Sequence, residues 1–476
     1  MPLKIIITVT YFFLLNTYPA QANNPLSKLA SDLMSNNSDI LANETDVEKA
    51  RLDVKLHSAA MNWAMSYNYL YNDSKLENSF FYTSSPSETN SHSLGLSTSF
   101  YHGGRFSLSN DISTTEGVNS FTSVNSTTHS FSQTAAYTLD LGANFLGRQS
   151  RLEKEILEET ELLTERLSSQ VRDEQLLNLA LGYTHARLAM AMETLDFEAL
   201  ERSKKREALI RKRVRDGLKL KVDLYQAEMS TRAQVEAVAS SKVLKESSYE
   251  IIGKLVHRPV NTDDINSFNF ENFQMQVPDA TDLKLNNTLE IIKKRLNVIE
   301  STEQNANNLK LPTIELSTAY VSNDYDASSS EALKKGSIGS KNNAFQVGVN
   351  LTWSIGSKTA SLMTTKYLRE KRLLEKQKLN IENNITLSES MLKIRIETLN
   401  TNLKSAKVRK ILARKALKEY NKLYNRGRAD LDSVIRAEEK LINTEKTFVA
   451  YLAERDKACY QLSYLYGGIK RYILEE

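Results

Sequence analysis

Residues 217–228 read Gly-Leu-Lys-Leu-Lys-Val-Asp-Leu-Tyr-Gln-Ala-Glu, and residues 427–438 read Gly-Arg-Ala-Asp-Leu-Asp-Ser-Val-Ile-Arg-Ala-Glu. Gly217 and Gly427, Ala227 and Ala437, and Glu228 and Glu438 fall in register at an offset of 210 residues. Solenoid repeats recur every roughly 20–50 residues, so the longer offset marks a tandem pair of domains. Each glycine follows a strand-like segment, ending at Leu146-Gly147 or Ile355-Gly356, by about 70 residues. The stretch between is charged and leucine-rich, with Leu152, Ile156, Leu163, Leu167 and Val171 at helical steps. A helix of that length spans roughly 100 Å at 1.5 Å per residue. A second helical stretch follows each glycine, over about 219–256 and about 430–466. Each half is therefore expected to supply one long antiparallel hairpin, turning at Gly217 or Gly427.

Working outward, the residues before each hairpin change period from helical to alternating. Val347, Val349, Leu351, Trp353 and Ile355 alternate with Gly348, Asn350, Thr352 and Ser354. Tyr137, Leu139, Leu141 and Phe145 alternate with Thr138, Asp140, Gly142 and Asn144. Leu94, Leu96 and Phe100 lead through a His102-Gly103-Gly104 turn to Phe106, Leu108 and Ile112, which reads as a hairpin. Apolar and polar residues on opposite faces suit a membrane barrel, and equally a soluble sandwich. Strand spans near 64–83, 93–101, 104–113 and 129–145 give the first half either two strands or four. Thr83–Ser91, Thr114–Thr128 and Ser322–Asn343 have the composition of exposed loops.

The whole chain sets bounds on these readings. Lys4, the apolar run Ile5–Leu15 and Ala20-Gln21-Ala22 form a secretory leader, so residues 1–22 are expected to be removed. The formal charge then falls from +4 to +3 with the loss of Lys4, a balance that names no partner. Cys459 is the only cysteine, which excludes an internal disulfide framework. No apolar run beyond the leader reaches the roughly 18 residues of a membrane helix, so any membrane passage must use strands closed into a barrel. The domain reading is a first repeat over 23–258, with strands about 64–145 and a helical hairpin 148–256. A linker over 259–287, punctuated by Pro259 and Pro278, leads to a second repeat over 288–476, with strands about 312–356, a hairpin 358–466 and a C-terminal tail.

The layout of leader, helix, strands and glycine-tipped hairpin, repeated, resembles the TolC-type outer-membrane factors, the outer membrane efflux proteins, over essentially the whole mature chain. Leu311-Pro312-Thr313-Ile314-Glu315-Leu316 and the Gly-x5-Asp-Leu-x2-Ala pattern of 217–227 look like that family's repeated landmarks. The resemblance implies an α+β fold of two tandem structural repeats. In it, a transmembrane β-barrel shared by a homotrimer is continuous with a long antiparallel α-helical coiled-coil tunnel in the periplasm. It implies a passive exit duct in the cell outer membrane, in contact with outer-membrane lipid, for a tripartite efflux pump or type I secretion system. Its partners would be a periplasmic adaptor (membrane fusion) protein and an inner-membrane pump or ABC transporter. Independently, the strands of one such chain are too few to enclose a wide pore, whereas cyclic assembly of copies can do so.

By position, Asp223 and Tyr424 match residues that latch the periplasmic gate in that family, although an N-cap and a packing residue are equally consistent readings. The second half departs from the pattern, with Ser433 and Arg436 at the usual constriction carboxylates and Ala429 at the latch arginine. Asp430, Asp432 and Arg436 are the gate candidates left there, with Arg426 and Arg428 nearby. Gly217, Leu218, Gly427 and Arg428 match tip positions that contact adaptor hairpins. Basic runs at 202–215 and 404–422 read as solvated helix faces, or as a tip that attracts an acidic partner. With a leader present, they do not indicate nucleic acid.

No enzymatic site, metal or cofactor is expected. The six histidines form no His-Glu-x-x-His pattern, and Gly336–Lys341 lacks the spacing of a phosphate loop. No Gly-x-Ser-x-Gly elbow occurs. A secreted trimeric coiled-coil adhesin or structural surface protein is the competing reading, but it requires neither the duplication nor the paired strands.

Overall fold

The computed structural model describes residues 25–59, 61–74, 87–118, 125–266, 268, 277–278, 286–337, 339 and 341–475. The leader, much of the inter-repeat linker and parts of the expected loops lie outside these residues. Helices α1 (Pro25–Asn36) and α2 (Ser38–Ala59) lead into strands β1 (Ala64–Ser74), β2 (Ser87–Ser99), β3 (Gly104–Val118) and β4 (Asn125–Asp140). Two long helices follow, α3 (Arg148–Arg215) and α4 (Lys221–Val256). The second half runs α5 (Asn287–Asn308), β5 (Thr313–Asp326), α6 (Ser329–Gly336), β6 (Asn343–Thr352), α7 (Lys358–Asn425), α8 (Leu431–Leu465) and α9 (Ile469–Glu475). The 68 residues of α3 and the 68 of α7 contain no proline, so nothing interrupts the hydrogen-bond ladder.

The strands form one six-stranded antiparallel sheet in the order β1-β2-β3-β4-β5-β6, so the first half supplies four strands. The expected loops are too wide: residues 87–91, 114–118, 125–128 and 322–326 are strand, and 329–336 form a helix. These segments lack apolar alternation because hydroxyl pairs replace it across the strands. Thr89 Oγ1 lies 3.3 Å from Thr115 Oγ1, and just beyond them Ser113 Oγ lies 2.6 Å from Ser130 Oγ. Helix α6 packs on β4 and β5, where Phe131, Ser322 and Ala332 are buried.

The alternation expected to run to Phe145 stops at Asp140, and that after β6 stops at Thr352. Beyond Asp140 the chain turns sharply. The Asp140 carboxylate accepts the amides of Gly142 at 2.7 Å and Asn144 at 3.1 Å. Asn144 Oδ1 in turn accepts the Gln149 amide at 3.0 Å, satisfying an otherwise orphaned donor at the start of α3. Gly147 has φ of 74°, and a Cβ there would stand 1.5 Å from the Tyr101 carbonyl, so the corner admits only glycine. The β2–β3 turn is thereby docked on the β4–α3 corner.

Two compact units each combine stretches from both repeats. One holds the described residues of 43–168 and 288–382, including the whole sheet. Its helices are joined by ion pairs, Arg51 with Glu161 at 3.2 Å and Lys294 with Glu159 at 3.2 Å. The other holds those of 25–42, 169–287 and 383–475 and is helical. Its main core gathers Leu26, Leu29 and Leu33 of α1 with Leu176, Leu179, Ile252, Tyr460 and Ile473. Arg258 fastens the start of the linker to this core through Asp32 at 2.7 Å and Asp264 at 3.0 Å.

Candidate gate and docking tips

The gate candidates all lie in the helical unit, where the two hairpins turn. Both turns end their first helix identically. The Leu218 amide donates to the Arg213 carbonyl and the Gly217 amide to Val214; Arg428 donates to Leu423 and Gly427 to Tyr424. This pair of bonds is the Schellman termination, which needs a left-handed residue after the helix. Gly217 and Gly427 have φ of 72° and 73°, and nothing lies within 4 Å of a Cβ built on either. Conformation alone therefore requires glycine there.

After the turns the two tips diverge. Helix α8 begins at Asp430, whose side chain accepts the Ser433 amide at 2.9 Å, and hydrogen bonding from the Ser433 side chain and then its amide holds the carboxyl below the usual range. Helix α4 begins at Leu220, which has no capping side chain, so Asp223 is not an N-cap but stands in the first turn. Among the described residues the Asp223 carboxylate makes no hydrogen bond or ion pair. Asp432 pairs with Arg436 one turn along the exposed surface of α8. Leu218 and Leu220 are 72% and 73% exposed, and Val222, Tyr225 and Met229 extend that apolar surface along α4. The second tip instead presents Arg426 and Arg428 beside Gly427. Both tips are basic, and the first is apolar as well.

Behind the tips, the four helices close on Ile210, Ala227, Leu417, Tyr424, Leu431, Val434 and Leu441. Tyr424 is 5% exposed. Cations from the first hairpin flank its ring, Arg213 at 5.5 Å and Lys219 at 4.7 Å from the centroid. Its hydroxyl is buried without a hydrogen-bond partner, so the structure does not join it to Asp223. Arg213 also donates to the Asn425 side chain at 3.1 Å.

One layer deeper, Glu438 receives Arg202 Nε at 3.2 Å and the Arg206 guanidinium. The Glu438 side chain is 6% exposed and that of Arg206 11%. Burial, and then the adjacent Arg202 charge, draws the Arg206 pKa down to about 10. Arg206 also donates to Ser203 Oγ at 3.1 Å and Ser230 Oγ at 3.0 Å. The register partner Glu228 differs: it pairs within its own hairpin with exposed Arg211 at 2.8 Å. Glu438 thus bridges the hairpins where Glu228 does not. Sequence reading placed Glu438 only as a repeat marker and Arg202 and Arg206 in a solvated basic run. Their spacing of four on α3 was the available signal, because it puts both guanidiniums on one face.

A second cross-hairpin bond lies further along, where Arg187 meets Asp456 at 3.3 Å. Arg187 also stacks 4.1 Å from the Phe268 centroid and donates to the Asn266 carbonyl at 3.1 Å. Burial pushes the Asp456 carboxyl up to about 6, opposed by Arg187 and Arg455. Among the described residues, no group of three or more His, Cys, Asp or Glu is placed to hold a metal ion. Cys459 is buried.

No protein-family model matches the sequence, and no curated protein matches it. Solved structures do match. The outer-membrane channel OprN superposes with a TM-score of 0.71 at 14% identity, over 94% of this chain and 90% of that one. The outer membrane protein VceC of Vibrio cholerae gives 0.69 at 14% identity, over 93% and 96% of the two chains. The outer membrane channel MtrE of Neisseria gonorrhoeae, solved in its open state, gives 0.68 at 13% identity, over 94% and 90%. The chain has the fold of these channels along nearly its whole length.

Proposed function

We propose that this protein is the outer-membrane exit duct of an export system. Three copies pool their sheets into a barrel in the outer membrane, and their helical hairpins form the periplasmic tunnel. The observation that carries this reading is the sheet, whose two faces differ in kind. One face presents residues such as Leu96, Leu108, Tyr320 and Val347, and the other presents Ser97, Ser107, Ala319 and Gln346. A lipid-facing wall with a wet interior demands that division. The channel fold of the structural neighbours supports the same conclusion.

The tips and the layer behind them supply the gate. Tyr424 and Glu438 hold the second hairpin against the first, so the periplasmic end rests closed until a partner separates them. The exposed apolar tip at Leu218, together with Gly217, Gly427 and Arg428, is the surface for a periplasmic adaptor protein. That adaptor couples the duct to an inner-membrane pump or ABC transporter, which provides the energy. Purified protein in a planar bilayer is expected to give discrete conductance steps, and a strain lacking it to lose resistance to exported toxic compounds. A water-soluble monomer with no openings overturns the proposal.

A further inference from the structure

Strands β1 and β6 are the two edges of the sheet, and each has one neighbouring strand. Every described side chain of β1 is exposed, and so is every side chain of β6. Met65 and Val349 are 72% and 68% exposed. Long apolar edges of this kind pair with another chain unless something blocks them. Neither described edge carries a proline, bulge or inward lysine to do so.

Resting on the exit-duct reading, we propose that β1 of one copy pairs antiparallel with β6 of the next, with Ala64 opposite Thr352. Three copies so joined close an eighteen-stranded barrel. Polarity permits the seam, because β1 leaves the helical end of its strand and β6 returns to it, so the new pair is antiparallel like every other pair. Face parity restricts it: the apolar positions are odd-numbered on both strands, so Met65 must face Leu351 or a residue two steps away. Strand length selects among these, since Ala64 opposite Thr352 aligns the proximal ends of both strands. Tyr67, Tyr69 and Tyr71 then face Val349, Val347 and Phe345. Aromatic rings against β-branched or aromatic neighbours are favourable cross-strand pairs. Trp63 and Trp353 meet just below, where a lipid interface favours tryptophan.

The geometry of closure agrees. Partner to partner from Ala64, the row passes through Ser97, Ser107, Ala136 and Ala319 to Gln346, six residues above Thr352. The proposed seam adds no further climb, so each copy advances the row by six residues over six strands. At about 3.3 Å per residue and 4.8 Å per strand that is a tilt of about 35°, within the range of membrane barrels. Eighteen strands at this tilt make a ring about 34 Å across between backbones, against about 23 Å for twelve. Porin-sized barrels of this class leave an aqueous channel. Its inner wall is a carpet of small hydroxyl side chains, among them Ser66, Ser93, Ser109, Ser132 and Thr134, with Arg105, Asp111, Asp140 and Glu315 as charges. With three carboxylates to one guanidinium per copy, such a wall is net negative.

The test uses the full-length protein extracted in detergent, with Cys459→Ser as background. Met65→Cys with Leu351→Cys is expected to give covalent dimers and trimers on oxidation, and either cysteine alone none. Met65→Cys with Trp353→Cys or with Val349→Cys is expected to cross-link at least tenfold less. Preferential cross-linking of either shifted pair overturns the register. Independently, electron microscopy of the unmodified oligomer in lipid nanodiscs is expected to resolve eighteen strands. Twelve strands, or copies meeting by other edges, overturns the inference while leaving the duct intact. A monomer in detergent overturns the exit-duct reading itself.

Discussion

Replacing Glu438 by glutamine tests the gate most directly, because the pair it breaks is almost dry. Glu438 and Arg206 are 6% and 11% exposed, so Arg206 would keep its charge with only Ser203 and Ser230 as partners. Removing one member of a buried ion pair costs about 3–5 kcal/mol, because the other is left uncompensated. Glutamine still accepts one hydrogen bond, which argues for the lower figure. Arg202, a third exposed, adds less than about 1 kcal/mol. If separating the hairpins returns Arg206 to water, about 3 kcal/mol is lost from the closed state alone and its ratio to the open state falls roughly 150-fold. Single-channel recording in planar bilayers should then show long open dwells where the unaltered protein is mostly shut. Replacing both residues by methionine removes the charges together and should restore closure to within about 1.5 kcal/mol, since an apolar pair often substitutes for a buried ionic one. Wild-type dwell times for Glu438→Gln would show that the hairpins are held by something else.

Three further outcomes follow from the same unit. Gly427→Ala keeps every contact but forces an L-residue to φ of 73°, so thermal unfolding should report a loss of about 1–2 kcal/mol, and Gly217→Ala the same. Tyr424→Phe should leave closure intact and stability unchanged or slightly higher, because the buried hydroxyl it removes has no partner; a drop of more than about 1 kcal/mol would mean that the hydroxyl bonds to a neighbouring copy. Asp456 titrates near 6 when folded and near 4 when unfolded, so the native state takes up its proton first. Its contribution is fully present below about pH 4 and is lost as pH rises through 6. The unaltered protein should therefore gain about 1 kcal/mol relative to Asp456→Asn between pH 7 and pH 5 by denaturant titration, and parallel profiles would count against the burial of that charge.

The fold was legible wherever one local rule governed a long stretch. The 70-residue spacing and the unbroken leucine periodicity of α3 and α7 arise from helices free of proline, so a single period runs across each of them. Gly217 and Gly427 were legible for a related reason: a Schellman turn needs positive φ, and in these tips only glycine supplies it. The strands were harder to read. Their distal halves are stitched by serine and threonine pairs such as Thr89 with Thr115, and those residues in sequence have the composition of loops. The count of strands in the first half depended on which hydroxyl-rich segments pair, and pairing is a long-range property that composition does not carry.

The site was less legible than the fold because its chemistry joins residues more than two hundred positions apart. Glu438 and Arg206 are 232 residues apart, and Arg187 and Asp456 are 269. Nothing near Arg206 in the chain distinguishes it from Arg211, which is exposed and holds two carboxylates of its own hairpin. The distinction comes from the second copy of the repeat. At the place corresponding to Arg211 the second hairpin has Asn421, which carries no charge to hold Glu438 at home. Glu438 is therefore left for the neighbouring hairpin, and α3 offers it two arginines one turn apart. The two repeat carboxylates thus differ in partner: Glu228 meets an exposed cation of its own hairpin, and Glu438 meets two arginines of the other. If this is the origin of the closed state, Asn421→Arg should compete for Glu438 and weaken closure without removing any residue of the clamp. Such a variant gives longer open dwells than the unaltered protein but shorter ones than Glu438→Gln, and an unchanged closed state would show that Asn421 lies out of reach.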